Sequence, residues 1–351
     1  MLAVILSAAK NLPYRRRGRS FVAALLRMTC WTLVFLLAAC GAPQAAPASS
    51  GPAKIKLAYS SISYAQIALP VAKETGIFEK NGLDADFVFG PNGIPAMLSG
   101  EVQGSVGSTE ELILADVGGA DLTTIATMVP LLQHKLMVRP EIKTVADLKG
   151  RPVGITKRGT ITETVLRMSA KRGGLDPDKD LQMLELGTAD KQLAALTAGS
   201  VFAGSFSPPN TDVAEAQGAH VLYDYPKEHI EYPVAQVIVP RQWAAKNQPL
   251  ALALLRSLAQ AVALSRTQPD VVAGVYAKWA KTGDDAAKIA IKLAQEQVPV
   301  RMLPTVSGMR AVLETVAQTQ PAAGSSDPVK FFDDSYIKKL EQEGFYSTLP
   351  Q

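Results

Sequence analysis

The chain has 351 residues, 47% of them hydrophobic and 19% charged, a globular balance with length enough for about two domains. Its formal charge of +4 misdescribes the body. Lys10, Arg15, Arg16, Arg17, Arg19 and Arg27 all fall within residues 1–39, which hold no acidic residue, leaving 30 basic against 32 acidic residues elsewhere. The body is not basic and gives no ground for a nucleic-acid partner; the asymmetry belongs to a targeting segment.

That segment joins an Arg-rich stretch to an apolar run beginning at Trp31, far shorter than the ~20 residues of a membrane-spanning helix. Residues 1–39 are therefore predicted to be a secretory signal. The string Leu37-Ala38-Ala39-Cys40 resembles the lipobox of bacterial lipoproteins, which implies lipidation at Cys40; a plain signal peptide with an incidental cysteine is the alternative. The only cysteines are Cys30 and Cys40, so the body has no disulfide, thiol nucleophile or cysteine metal site. Residues 40–53, rich in Pro, Ala and Ser, read as a lipidated flexible tether. Such an anchor would hold the globular part beside a membrane.

From Lys54 the chain alternates βα units. Ile55, Leu57 and Tyr59 alternate with Lys54 and Lys56 as a strand does, Ser60, Ser61 and Ser63 form a polar turn, and a helix follows that Gly76 ends. Asn81-Gly82 turns into a strand through Phe87–Phe89, and Gly90 to Gly93 break it. A short helix, Ile94 to Leu98, leads to a strand at Ser105–Gly107. Ser108 and Glu111 then form a capping-box pattern ahead of Leu112 and Ile113. Leu122–Met128 is a further strand. A second set opens with a strand from Gln133 to Arg139, then Pro152–Ile155, a helix capped by Thr160 with Glu163, a strand at "LQMLEL", a helix from Lys191 to Ala198, and short strands at Val201–Gly204 and His220–Tyr223. From Pro249 the chain is helical, with Leu250, Leu254, Leu258 and Val262 on one apolar face. Strand-turn-helix repetition predicts an α/β fold with mostly parallel sheets flanked by helices. In such sheets ligands sit beyond the carboxyl ends of the strands.

The stretches "KIKLAYSSISYAQIALPVAKETGIFEKNGLDADFV", "KTVADLKGRPVGI" and "FFDDSYIKKLEQEGF", in this order, resemble the nitrate/sulfonate/taurine and thiamine-precursor class of periplasmic binding proteins. These are the solute receptors of ABC importers, and the resemblance runs from about Lys54 to Phe345. It implies two α/β lobes joined by two crossing strands and closing on a ligand by hinge motion. Lobe one would comprise 54–133 and 236–351 and lobe two 134–235, with hinges near Gln133–Val138 and Val234–Val239. It implies an extracytoplasmic, lipid-anchored, monomeric receptor that takes a small-molecule solute to ABC permease and ATPase subunits, without a cofactor.

The ligand is then expected at six βα turns. In lobe one these offer Ser61, Tyr64, Asn92, Ser108, Thr109 and Glu110. In lobe two they offer Arg158, Gly159, Thr160 and Phe206. Two cations, a glycine and a hydroxyl at a helix start in "KRGT" suit an anion, though a capped helix with solvated Lys157 and Arg158 fits equally. Serine caps explain Ser61 and Ser108, and Tyr64 reads as well as a core ring. Glu110 favours an amine or amide donor over an oxyanion, or simply complements the helix dipole. Phe206 with Pro208 and Pro209 would give an apolar wall suited to an organic solute. His134, His220 and His229 lack metal-ligand spacing. A thiamine-pyrimidine-synthase-like enzyme on the same fold and a ligand sensor are the alternatives. The first lacks its cysteine-rich motif here.

Overall fold

The computed structural model describes residues 51–90 and 92–350. The expected signal segment, Cys40 and most of the tether lie outside the described residues. The first strand, β1 (Ala53–Tyr59), buries Ile55 and Leu57 while Lys54 stays exposed, as the alternation predicts. Ala58 and Tyr59 are buried too, because the carboxyl end of β1 is covered on both faces, the condition of a parallel strand inside an α/β layer. A 3-10 turn at Tyr64–Gln66 leads into α1 (Ala68–Glu74), which stops where Gly76 adopts φ +70°. The chain continues through α2 (Ile77–Lys80), β2 (Leu83–Phe89), α3 (Gly93–Leu98), β3 (Gly104–Gly107), α4 (Thr109–Val117) and β4 (Leu122–Leu131).

The second set contains β5 (Lys135–Val138), β6 (Pro152–Ile155), α5 (Ile161–Arg172), β7 (Gln182–Glu185), α6 (Ala189–Thr197), β8 (Ala203–Phe206), α7 (Asn210–Ala216) and β9 (His220–Asp224). Then β10 (Glu231–Pro240) precedes the helices α8 (Arg241–Lys246), α9 (Gln248–Thr267), α10 (Pro269–Ala280), α11 (Asp284–Gln297), α12 (Val306–Val316) and α13 (Ser335–Gln342). In α9, Pro249 sits in the first turn, and Leu254, Leu258 and Val262 are buried as its periodicity predicts.

Two five-stranded sheets result, ordered β2-β1-β3-β10-β4 and β7-β6-β8-β5-β9. Each has the same plan. Two parallel neighbours flank one strand, β1 in sheet one and β6 in sheet two, and one antiparallel strand sits next to the edge: β10 in sheet one, β5 in sheet two. The chain leaves sheet one after Leu131 and returns after Asp224. Leu131 pairs with Glu231 on one side of the passage and Lys135 with Asp224 on the other, so the two crossings run side by side. The Leu132 N–H donates to the Ile230 carbonyl between them (3.0 Å). The second crossing is therefore Tyr225–Ile230, earlier than the expected hinge at Val234–Val239, which lies inside β10. An apolar strand looks the same in sequence whether it crosses between sheets or completes one.

One core lies between sheet one and α1, α9, α10, α11 and α13, centred on Leu57, Val71, Leu254 and Leu258. A second lies on the other face of that sheet and holds Leu112, Val312 and Phe331. Val165 of α5 belongs to this second core, so a helix of the second set packs against the first. Both faces of sheet two carry smaller clusters around Val153 with Leu166 and around Val201 with Leu196.

His134 sits in the first crossing, where Nδ1 is buried without a hydrogen-bond partner. Burial pushes its pKa down to about 4. The folded protein holds the ring neutral, whereas the unfolded chain takes up a proton below about pH 6.5, so stability falls as pH drops from there toward 4. In urea titrations across that window, His134→Leu should lose about 1–3 kcal/mol less than the parent. Equal losses in the two proteins would show that His134 titrates freely.

Candidate functional site

The carboxyl ends of the parallel strands in both sheets carry the polar turns singled out in the sequence. After β1, the Ser61 and Ser63 hydroxyls donate to Oε1 of buried Gln66 (2.9 and 2.7 Å), which ties the turn to the start of α1. Ser61 stays partly exposed beside exposed Ile62. Tyr64 does not reach this surface. Its ring is buried in the first core, and burial next to Tyr276 pushes its hydroxyl pKa far up. After β2, exposed Asn92 precedes α3 without capping it through its side chain. Gly93 lies so close to β3 that a Cβ there would stand 2.3 Å from the Ser105 Oγ.

At α4 only half of the capping box forms: the Glu111 N–H donates to Ser108 Oγ (3.4 Å), while the Glu111 carboxylate pairs with Lys157. The Ser108 hydroxyl in turn donates to Glu110 Oε2 (2.6 Å). Thr109 and Glu110, expected among the ligand contacts, are buried and bonded within the protein. Thr109 donates to the Pro233 carbonyl (2.5 Å) and accepts from Gln236 Nε2 (3.1 Å). Gln236 Oε1 accepts from the Thr124 and Thr127 hydroxyls, both at 2.9 Å. The Pro233 carbonyl is available because β10 slips its register between Glu231 and Ala235. Glu110 accepts from Tyr232 (2.8 Å) and from Thr164 of α5 (3.4 Å). Burial pushes its pKa up, against the hydrogen bonds from Ser108 and Tyr232.

In the second set, exposed Arg158 pairs with Glu163 (2.9 Å), and its own N–H donates to Glu185 (3.3 Å). Gly159 has φ +73°, and its N–H donates to Glu163 Oε2 (2.7 Å). Thr160 does not form the predicted capping box. Its hydroxyl donates back to the Lys157 carbonyl (2.7 Å), and Glu163 reaches Gly159 instead. Arg167 also binds Glu163 (2.9 Å) and then Asp178 (2.7 Å). Burial opposes the Glu163 charge, but the Gly159 N–H with Arg158 and Arg167 holds its carboxyl below the ordinary range. Phe206 is core rather than wall: it packs onto Gly204, where a Cβ would stand 2.8 Å from the ring.

The two sets meet through these turns. Lys157 pairs with Glu111 (3.2 Å), and a Cβ on Gly159 would stand 2.6 Å from the Leu114 Cδ1. Glu110, Glu163, Thr164 and Arg167 border a cavity of ≈ 20 Å³ between α4, α5 and α12, room for one water. Ser61, Asn92, Arg158 and Thr160 keep exposed surface. Glu111, Tyr232 and Gln236 complete the arrangement, and a lone Gln in the apolar run "VAQVIV" was the one sequence signal for the last. Among the described residues no cluster of His, Cys, Asp or Glu could hold a metal ion, and no helix is long and apolar enough to cross a membrane.

A family model described as NMT1/THI5 like matches residues 65–271, more than half of the chain. The chain belongs to the NMT1/THI5-like family. It is 29% identical over 245 residues to a putative aliphatic sulfonates-binding protein of Escherichia coli (strain K12), covering 67% of this chain and 74% of that one. Its fold matches the crystal structure of the periplasmic aliphatic sulphonate binding protein SsuA from Escherichia coli. There the TM-score is 0.64 at 23% identity, over 77% of this chain and 88% of the other. It also matches the periplasmic nitrate-binding protein NrtA from Synechocystis PCC 6803, with a TM-score of 0.67 at 14% identity, over 83% and 89%. These relatives are binding proteins, not enzymes, and the two-sheet plan of this NMT1/THI5-like chain is the periplasmic-binding-protein fold.

Gln236→Leu should leave Thr127 without its acceptor and Thr109 without its donor, costing about 1–3 kcal/mol in urea denaturation. Gly159→Ala should strain a left-handed residue and press on Leu114, costing about 1–2 kcal/mol. A double-mutant cycle with Leu114→Ala should recover the steric part; strict additivity would mean that the Gly159 turn and α4 do not touch in solution.

Proposed function

We propose that this protein is the lipid-anchored, extracytoplasmic receptor of an ABC importer, capturing a small organic or anionic solute between its lobes and delivering it to a membrane permease. One observation carries the reading. Two sheets of the same plan are joined by two adjacent crossings, and their polar βα turns face each other across the join. That plan lets one lobe swing against the other and sandwich a solute. The lobes are sheet one with the C-terminal helices and sheet two with its own. The contacts we assign are Ser61 and Asn92 from lobe one and Arg158, Gly159 and Thr160 from lobe two, all at least partly exposed. Closure selects a solute only through contacts it makes better in the closed state. The names of the relatives favour sulfonates and small oxyanions as first candidates. Lipidation at Cys40 would keep the receptor near its permease, and it acts as a monomer.

Thermal denaturation against a panel of alkanesulfonates, nitrate, amines and pyrimidines should find one class that raises the midpoint. A true solute at about 100 times its dissociation constant adds roughly 2.7 kcal/mol. No shift from any class would overturn the capture of these solutes. For an anionic solute, Arg158→Ala should weaken binding by roughly tenfold or more, the scale of one charged hydrogen bond. Unchanged affinity would show Arg158 to serve only Glu163.

A further inference from the structure

Glu110 has an arrangement that solute contact does not explain. It is 1% exposed, and every side chain bonded to it is a neutral hydroxyl: Ser108, Tyr232 and Thr164. Ser108 and Tyr232 belong to lobe one, as Glu110 does, but Thr164 stands on α5 of lobe two. The lobe that moves thus forms part of the cover over this carboxyl.

Among the described residues no neighbouring cation is left to balance it. On its own helix, Glu111 is taken by Lys157. On α5, Arg167 borders the same cavity but is held by Glu163 and Asp178, and Arg158 is held by Glu163. From α12 the cavity receives Thr315, and Thr319 follows just beyond that helix; both are neutral, as is Tyr232 on β10. Exposed Arg310 and Glu314 of α12 stand on its solvent side. Burial without a counter-charge favours the protonated carboxyl, against the hydroxyls that donate to it.

We propose that closing the two lobes takes up a proton at Glu110, so that solute capture by this protein is proton-linked. With α5 against it the carboxyl is cut off from bulk water and borders only a cavity with room for one water; with α5 swung away, bulk water reaches it and it ionises in the ordinary range. The proton therefore binds the closed form more tightly than the open one. Closure is favoured fully below the open-state pKa. It weakens by up to tenfold per pH unit as pH rises, and levels off once the closed form has also ionised.

The motion itself comes from the receptor reading above, but the test needs no solute. In the full chain carrying Cys30→Ser and Cys40→Ser, Lys191→Cys on α6 and Asp285→Cys on α11 place one exposed thiol on each lobe for a dye pair. Energy transfer measured from about pH 4, the ordinary glutamate range, to about pH 8 should fall as pH rises. Glu110→Gln keeps a neutral hydrogen-bonding side chain and should remove the pH dependence. Tyr232→Phe deletes a donor that favours the charge, and should move the transition to higher pH. A flat response in the parent, or a Gln variant that tracks the parent, overturns the proposal, as does a Tyr232→Phe midpoint that stays or moves down. If Glu110→Gln does not fold, the direction of the Tyr232→Phe shift decides alone. Failure here leaves solute capture standing, and an empty solute panel leaves the proton linkage measurable.

Discussion

The chain passes between its sheets at Leu132–His134 and Tyr225–Ile230, and the pairing on either side keeps these passages adjacent. In each sheet the strand that adjoins a crossing from the other sheet is the antiparallel one: β5 in sheet two and β10 in sheet one. Lys135 with Asp224 (3.6 Å) braces the crossing on the side of lobe two. The second passage is a 3-10 turn, Tyr225–Glu228, closed by His229 in the left-handed region, and its place beside the short first passage sets one axis between the sheets, which suits a hinge.

The same return explains the buried polar network. When β10 comes back, its bulge at Pro233 leaves a carbonyl that cannot be matched in the ladder, and Thr109 supplies the missing donor. Gln236 then sits inside the sheet with its amide bonded to three threonines. Such a network is stable only when complete, so it fixes the register of β10 and the start of α4 together. Glu110 is held by the same joint, one residue along.

Much of the architecture was legible because periodicity and helix stops are local. Ile55, Leu57 and Tyr59 named a strand, Gly76 ended a helix, and the Leu254–Leu258–Val262 stripe found the packing face of α9. The site was less legible for a physical reason. A βα turn has an outward and an inward side, and residue type does not say which side a given position takes. Ser61 and Arg158 face out. Tyr64 and Phe206 face into neighbouring cores, and Thr109 faces in to bond Pro233 and Gln236. Thr160 shows the complementary failure. Its capping pattern with Glu163 was present in the sequence, but Gly159 in its left-handed turn offered a nearer N–H, and Arg158 and Arg167 drew the carboxylate away.

The two halves of the site therefore differ in kind despite a shared topology. At α4 the first-turn side chains are consumed by the return of β10, and they hold the lobes in register. At α5 nothing returns across the turn, and Lys157–Thr160 stays at the surface with its cations balanced by Glu111 and Glu163. On the proposed reading, an anion entering there competes with carboxylates already in place, and closure would add donors from the Ser61 and Asn92 turns of the opposite lobe. Selectivity would then follow from the shape and spacing of a solute that reaches both lobes at once.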